Sequence, residues 1–372
     1  MNTTSKPKIV HMTSVHPVFD VRIFHRECAS LAQLGYPVVL VAPHTHDEVQ
    51  KEVQIRAVPK AKNRLERMLF TTWRVYRRAL AEAGDLYHIH DPELIPIGFL
   101  LRMRGKRVIY DVHEDVPTNL LSKHWIPPLL RRLIAQGMAW LEGLAGLFFN
   151  GIVTVTPPIA SRFPAHKTVL VQNFPHPKEI AELKNTAYPN DSRQILYAGS
   201  LSKVRGLSQM LNAMTHLQDT PLQLVLAGNF SPPELESELK AHPSYQQIKY
   251  VGYQNRQEML HLLSSSRIGL AVLQPTPSFL KAQPTKMYEY MMAGIPFVAS
   301  DFPLWRASVG NVECGLFVDP ENPEAIAKAI RWLYEHPLEA EAMGKRGRQL
   351  IEEKLNWSME VAKLAKLYQM MA

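Results

Sequence analysis

The sequence predicts an α/β protein made of two successive, doubly wound halves, each a mostly parallel sheet. Short apolar runs alternate with amphipathic helical stretches, the pattern of strands covered on both faces by crossover helices. The alternation breaks once, over about Phe174 to Asn190, where Pro, Lys, Asn and Glu replace apolar periodicity, and then it restarts. A chain of 372 residues is also too long for one modest core and suits two domains of roughly 150–200 residues. The expected division is a domain over 1–174, a connection over 175–190, a second domain over 191–354 and a closing segment over 355–372.

In the first half Lys8–His11 reads as a strand, followed by a loop over Thr13–Asp20 and a helix from about Arg22 to Leu34 that Gly35 caps. Val38–Ala42, Leu86–His90, Val108–Asp111, Ile152–Val155 and Val169–Val171 read as further buried strands. In the second half the strands are Ile195–Ala198, Leu222–Ala227, Ile248–Val251, Ile268–Leu273, Phe297–Ser300 and Leu316–Val318, with helices such as Leu207–His216 and Gln257–Ser264 between them. Before Phe297 a helix opens at Pro284, with Met287, Tyr290 and Met291 at i, i+3 and i+4. Gly294 is placed for a left-handed cap, and Pro296 forbids continuation. The last helix, Ser358–Met371, follows Trp357.

The net charge of +8, with pI near 9.3, favours an anionic partner: a nucleotide diphosphate, an acidic membrane surface or a nucleic acid. The positive charge is concentrated in two stretches without an aromatic platform or a recognised motif, which argues against nucleic acid. Cys28 and Cys314 are too few and too far apart for a disulfide framework or a metal-ligand spacing, as befits a reducing cytoplasm. The first residues lack an apolar signal region, and no uncharged apolar run reaches the ~18 residues a bilayer span needs, so a cytoplasmic protein, soluble or peripheral, is expected.

In doubly wound sheets ligands bind just beyond the carboxyl ends of the strands. On the helix after Pro284, Lys286 and Glu289 share one side, and a cation beside a carboxylate at a helix start suits a ligand with both phosphate and sugar hydroxyls. The loop from Tyr197 to Leu207, with Gly199, Ser200, Lys203 and Arg205, runs from a strand into a helix and offers backbone amides and cations to a diphosphate. Gly228 and the Gly252–Tyr253 pair end two other strands. In the first half, His16, Asp20 and Arg22 follow the first strand, and His90, Asp91 and Glu93 follow a later one. His113, Glu114 and Asp115 follow the strand ending at Asp111. His88 and His90, two apart on a strand, share a face, so His-x-His-Asp could hold a metal or contact an acceptor. No complementary Cys or His cluster stands out, and acceptor binding without a metal is the expectation.

Lys60–Arg78 contains Lys60, Lys62, Arg64, Arg67, Arg74, Arg77 and Arg78, with Leu65, Leu69, Trp73, Tyr76 and Leu80 at helical spacing. Trp125–Arg132 sets aromatic and apolar residues beside two arginines. Either stretch could pack its stripe on the core or dock on an anionic membrane.

The run Pro284-x-Lys286-x-x-Glu289-Tyr290-Met291-x-Ala293-Gly294-x-Pro296-x-Val298-Ala299-Ser300 resembles the donor-binding segment of the retaining family-4, or group 1, glycosyltransferases. The resemblance implies the GT-B fold, two Rossmann-like domains facing a central cleft, and the closing helix is expected to return to the first domain. It also implies transfer of a sugar from a nucleotide-diphospho-sugar, UDP- or GDP-linked, to a lipid-linked or polysaccharide acceptor, with no bound metal. Surface or exopolysaccharide assembly at the inner face of the plasma membrane is the expected setting. Glu289 stands where the family's second glutamate contacts ribose, while Lys281 stands at the first glutamate's position. Arg205 stands at the lysine position of the phosphate loop and Ser200 at its arginine position. His113 matches the strand-end histidine near the transferred sugar. Arg205, Lys286 and His113 are therefore the expected catalytic groups. Lys281 and Ser200 keep open a non-catalytic GT-B partner of another transferase; a sugar-nucleotide epimerase is a third reading.

Overall fold

The computed structural model describes residues 6–121, 123, 126–183 and 188–371. Trp125 of the second basic stretch and residues 184–187 of the expected connection lie outside them. The chain divides into two compact units, Met1–Asn173 with Trp357–Ala372, and Phe174–Asn356.

The first unit is built on eight strands: β1 (Ile9–Met12), β2 (Val38–Pro43), β3 (Glu48–Gln50), β4 (Val53–Val58), β5 (Leu86–Ile89), β6 (Arg107–Val112), β7 (Gly151–Thr154) and β8 (Thr168–Leu170). They lie in the order β3-β4-β2-β1-β5-β6-β7-β8, all neighbours parallel except β3 with β4. The strand order therefore reverses at β1 and β5, where a doubly wound sheet opens a crevice. The β3–β4 hairpin is absent from the expectations drawn above. Its turn is made by Lys51 and Glu52 at φ 50° and 63°, so the glycine or asparagine that would announce a tight hairpin is missing. The helix expected over Arg22–Leu34 is wound as a π-helix over Val21–Cys28 and continues as an α-helix over Ala29–Gln33. The wider turn brings residues five apart onto one side, and Arg22 Nε meets Glu27 Oε1 at 3.1 Å. The last helix, Trp357–Met371, packs on the same sheet, burying Trp357, Leu364 and Tyr368 with β1, β2 and the π-helix.

The second unit has six parallel strands: β9 (Gln194–Ala198), β10 (Gln223–Ala227), β11 (Ile248–Gly252), β12 (Ile268–Ala271), β13 (Phe297–Ser300) and β14 (Gly315–Val318). Their order is β11-β10-β9-β12-β13-β14, which places the reversal between β9 and β12. The expected connection carries a helix, Pro177–Glu182, whose Ile180 and the following Leu183 enter this unit's core. Its start is held by His176: the ring accepts from the Lys178 amide at 3.2 Å while Glu179 accepts from the His176 amide at 2.9 Å. Histidine is an uncommon cap, so composition alone does not mark this helix. Both cysteines are buried, and burial pushes the Cys28 thiol well up and the Cys314 thiol up to about 12.

Helix Thr285–Ala293 lies on the centre of the second sheet. Pro284 is its N-cap residue, one position earlier than a first-turn proline, and Gly294 takes φ 73° at its end. The Tyr290 ring rests on Gly269 so closely that a Cβ there would stand 2.2 Å from Tyr290 Cγ. The Tyr290 hydroxyl lies 3.1 Å from the Leu196 carbonyl and 2.9 Å from that of Leu270, so one phenol ties the helix to both strands at the reversal. Behind it, helix Pro337–Glu353 approaches through Gly344, where a Cβ would fall 2.0 Å from the Gly294 carbonyl oxygen.

Alanine inside a helix normally improves on glycine by roughly 0.5–1 kcal/mol. Gly344→Ala is expected to reverse that sign and cost about 1–3 kcal/mol through forced displacement. Gly137→Ala, in helix Pro128–Phe148 where a Cβ meets nothing within 4 Å, is expected to stabilise. Urea denaturation of the two variants against the parent chain reads the difference directly.

Candidate functional sites in the two units

Three strands of the second unit end in glycines with positive φ: Gly199 at 138°, Gly228 at 138° and Gly252 at 71°. The Gly199 amide donates to the Ala227 carbonyl and the Gly228 amide to the Gly252 carbonyl, each at 2.7 Å. A Cβ on Gly228 would lie 1.9 Å from the Gly199 carbonyl oxygen, so the strand ends pack backbone on backbone. A cavity of about 310 Å³ opens over them, lined among others by Gly199, Ser200, Gly228, Asn229 and Tyr253. Tyr253 is 74% exposed at this edge, free to meet a ligand rather than fill the core.

Lys286 reaches into this group from the first turn of its helix. Its Cε and Nζ stand where a Gly199 Cβ would come within 2.6 and 2.7 Å of them. Burial pushes its ammonium below the ordinary lysine value, the Glu289 carboxylate pulls it back up and the Arg205 guanidinium adds to the depression. Lys286 and Glu289 thus do not form a solvated surface pair. Glu289 turns instead to Arg256, 3.4 Å away, which also meets Glu179 at 2.9 Å. Arg205 ends the 3-10 turn Lys203–Arg205, beside the Tyr197 phenol and over the Phe279 ring at 5.6 Å. Burial, against the pull of Arg205, raises the Tyr197 hydroxyl to about 12. Lys203 points elsewhere and pairs with Glu238 at 3.0 Å. Ser200 contributes its carbonyl, which accepts from the Tyr197 hydroxyl at 3.0 Å. Lys281 is the last residue of the short helix Pro277–Lys281. Arg256 and Phe279 are the members that inspection of strand ends alone does not reach.

In the first unit the expected residues separate into an inner and an outer set. Arg22 is buried and held by Asp111 at 3.2 Å, by the Val171 carbonyl at 3.1 Å and by Asn173 at 2.8 Å. It anchors β6 and β8 to the π-helix and does not face an acceptor. Asp91 is also interior, accepting from Thr13 Oγ1 at 2.9 Å and the Ser14 amide at 2.6 Å, so it shapes the loop after β1. His90 is interior too: its Nε2 lies 2.9 Å from His11 Nδ1 and its Nδ1 lies 3.2 Å from His113 Nε2. His113, half-buried, takes Asp111 as its partner at 2.9 Å. Asp111 is held ionised well below the carboxylate range: burial opposes this, and Arg22 and His113 outweigh it.

The outer set is His16, Asp20, Glu93 and Glu114. Asp20 caps the π-helix, accepting from the Arg22 and Ile23 amides at 2.8 and 2.9 Å, and lies 3.6 Å from His16. Burial raises the Asp20 carboxyl, but hydrogen bonds from His16 and the Ile23 amide hold it well below its usual value. Glu93 accepts from Ser14 Oγ at 2.7 Å and pairs with Arg67 at 3.1 Å. Glu114 is exposed, accepts from the Asn119 amide group at 2.9 Å and acts by its charge on His16. A cavity of about 530 Å³ runs from His16 past Lys60, Lys62, Arg64 and Arg67. Sequence reasoning passed over Asp111, His11 and Glu27. The signal is a polar residue inside an otherwise buried parallel strand, as in Ile9-Val10-His11-Met12 and Ile109-Tyr110-Asp111-Val112, or on a buried helical face.

The helical stripe over Lys60–Arg78 does not pack as one face. Tyr76 is buried in the core, whereas Leu65, Leu69 and Trp73 are 68%, 59% and 49% exposed, joined by Phe70. Helix Pro128–Phe148 likewise exposes Leu129, Leu133 and Trp140. No helix among the described residues is long and apolar enough to cross a membrane.

The comparisons with known proteins cover both units. Residues 21–170 match a family model described as glycosyltransferase family 4, and residues 179–350 match one described as glycosyl transferases group 1. D-rhamnosyltransferase WbpZ of Pseudomonas aeruginosa is 29% identical over 290 residues, 75% of this chain and 73% of that protein. Phosphatidyl-myo-inositol mannosyltransferase of Mycobacterium leprae is 22% identical over 91% of this chain and 89% of its own. Among solved structures, sucrose-phosphate synthase from Thermosynechococcus elongatus superposes with TM-score 0.76 at 18% identity over 98% of this chain and 99% of that one. Anabaena HepE in complex with UDP-glucose gives TM-score 0.71 at 13% identity over 98% and 100%. Likeness at these identities establishes a fold, here GT-B.

The His16–Asp20 pair yields a test by titration. His16 is raised above its ordinary ~6.5, mainly by its hydrogen bond to Asp20, against desolvation, with Asp91 adding to the rise. Its share of stability is therefore complete below ~6.5 and lost as pH rises through the raised value. Asp20→Asn is expected to lower the His16 pKa, read from imidazole proton shifts in an NMR titration. An unchanged His16 pKa would contradict the pairing.

Proposed function

The chain belongs to the group 1, family 4 glycosyltransferases, and we propose that it transfers a hexose, with retention, from a UDP- or GDP-linked donor bound by its second unit. It is a hexosyltransferase of GT-B fold. The observation that carries the donor reading is Lys286, a partly buried cation whose carboxylate neighbour is engaged by Arg256, laid against the glycine at the end of β9. A diphosphate over Gly199 and Gly228 would meet backbone amides beneath and the Lys286 and Arg205 cations alongside. Those two cations stabilise the departing diphosphate in this reading, so the transfer calls on side chains rather than a bound metal. Glu289 orients the ribose, and Tyr253 and Gly252 border the base. HepE, solved with UDP-glucose, supports a nucleotide-sugar in a fold of this kind.

On the first unit, His113 steadied by Asp111 serves the transferred sugar by hydrogen bonding, an electrostatic part more than a proton transfer. The basic cavity beside His16 suits an acceptor carrying phosphate, as a lipid-linked saccharide does. The exposed apolar residues Leu65, Leu69, Phe70 and Trp73, interleaved with arginines, suit peripheral contact with an anionic membrane at its cytoplasmic face. Relatives named for rhamnosyl and phosphatidylinositol mannosyl transfer support a role in surface polysaccharide or glycolipid assembly.

Thermal shift with UDP-, GDP-, ADP- and dTDP-sugars tests the donor site. One nucleotide class is expected to stabilise the parent chain and to lose that effect in Lys286→Ala and Glu289→Ala. Once a substrate pair is found, Lys286→Ala or Arg205→Ala is expected to lower kcat/KM by about 10²–10³-fold. Variants that keep full stabilisation by the nucleotide would sink the assignment.

Membrane contact is tested by co-sedimentation with vesicles. Phosphatidylglycerol vesicles are expected to retain the protein and phosphatidylcholine vesicles to release it. Leu69→Ser with Phe70→Ser is expected to weaken retention about tenfold or more. Equal behaviour toward both vesicles, or indifference to the double substitution, would remove membrane docking from the reading.

A further inference from the structure

Beneath His113, four side chains of the first unit converge: His11 from β1, His88 near the end of β5, His90 just beyond it and Glu27 from the π-helix. All four are buried, and one ligating atom from each lies within 4.8 Å of every other. His11 and His88 are register partners on adjacent parallel strands, and the rings of His88 and His90 stack at 4.6 Å. Their polar atoms are poorly served. His11 Nε2, His88 Nε2 and Glu27 Oε2 are buried without a hydrogen-bond partner, while Glu27 Oε1 is met by Arg22 Nε at 3.1 Å. Three unmet polar atoms in one pocket are costly at about 1–3 kcal/mol each, far more than a fold would leave unanswered by chance.

The outward-facing nitrogens are, by contrast, satisfied. His88 Nδ1 lies 2.6 Å from the Tyr368 hydroxyl, and His90 Nδ1 lies 3.5 Å from Asp111. His88 Nε2 is left without a partner, and His90 Nε2 meets His11 Nδ1. A ligating histidine whose second nitrogen is oriented by a carboxylate or hydroxyl is the usual outer shell of a metal site. His11 Nδ1 lies 2.9 Å from His90 Nε2 and 4.0 Å from Glu27 Oε2, spacings on either side of the roughly 3.3 Å that separates ligands of one tetrahedral ion. We infer that His11, Glu27, His88 and His90 form a closed structural site for one divalent zinc ion, with three imidazoles and one carboxylate as ligands. Such an ion would join β1, β5 and the π-helix, and through His90 and Asp111 it would set the orientation of His113. It is a positioning device and takes no part in group transfer.

The same unit carries a second group, His44, His46 and Glu48, which is partly exposed and must be separated from the first. The test is the metal content of the full chain expressed with zinc and dialysed against a chelator, read by inductively coupled plasma mass spectrometry. About one zinc per chain is expected, retained in the His44→Ala/His46→Ala double variant and lost in His88→Gln and Glu27→Gln. Should those two variants fail to fold, X-ray absorption on the parent protein still decides: imidazole scattering with N and O ligands at ~2.0–2.1 Å is expected. Folded parent protein without zinc, before and after refolding with the ion present, would overturn the site. Zinc that disappears with His44 and His46 would overturn it equally.

Discussion

The second unit depends on how closely one helix can lie on its sheet. Tyr290 rests flat on Gly269 and its hydroxyl reaches carbonyls of two strands, while Gly344 lets another helix press against the carbonyl that ends the first. Neither contact tolerates a side-chain carbon, so helix Thr285–Ala293 has one available height and rotation. Lys286 is thereby delivered to the floor made by Gly199 and Gly228, and Glu289 is left at the rim, where Arg256 can engage it. The position of a cation is thus fixed by aromatic and glycine packing several residues away.

The first unit reaches order by a different physical route. Its interior holds ionisable groups in number, with Asp111 at the hub between Arg22, His113 and His90. Removing one partner from a buried pair of this kind typically costs about 3–5 kcal/mol, because the other charge is left stranded. Such a network is a poor source of stability and a strict source of geometry. The π-helical turn belongs to it, since the wider winding lets Arg22 and Glu27 meet.

Much of this was legible in the sequence. Two doubly wound sheets followed from alternating apolar runs, and the Pro284–Asp301 run, with its cap at Gly294, carried the donor-side reading. Three things were hidden, each for a stated cause. The β3–β4 hairpin turns on Lys51 and Glu52, residues that give no turn signal, and the helix after His176 begins on an unusual cap. The inner character of Arg22, His90 and Asp91 depends on partners far off in sequence, such as Asp111 and Thr13, which only strand order brings together. A strand end marks where a ligand can sit, but it does not tell which side chains there have turned inward.

Both thiols of this chain are sealed in the two cores, and burial keeps them in the unreactive protonated form. The molecule therefore presents a silent background to thiol-directed probes. A cysteine placed on an exposed position outside the candidate sites, such as Met103 or Leu338, could carry a fluorophore or spin label without first deleting the native pair. Each of the two units could then be followed by its own label in a chain that keeps its native cysteines.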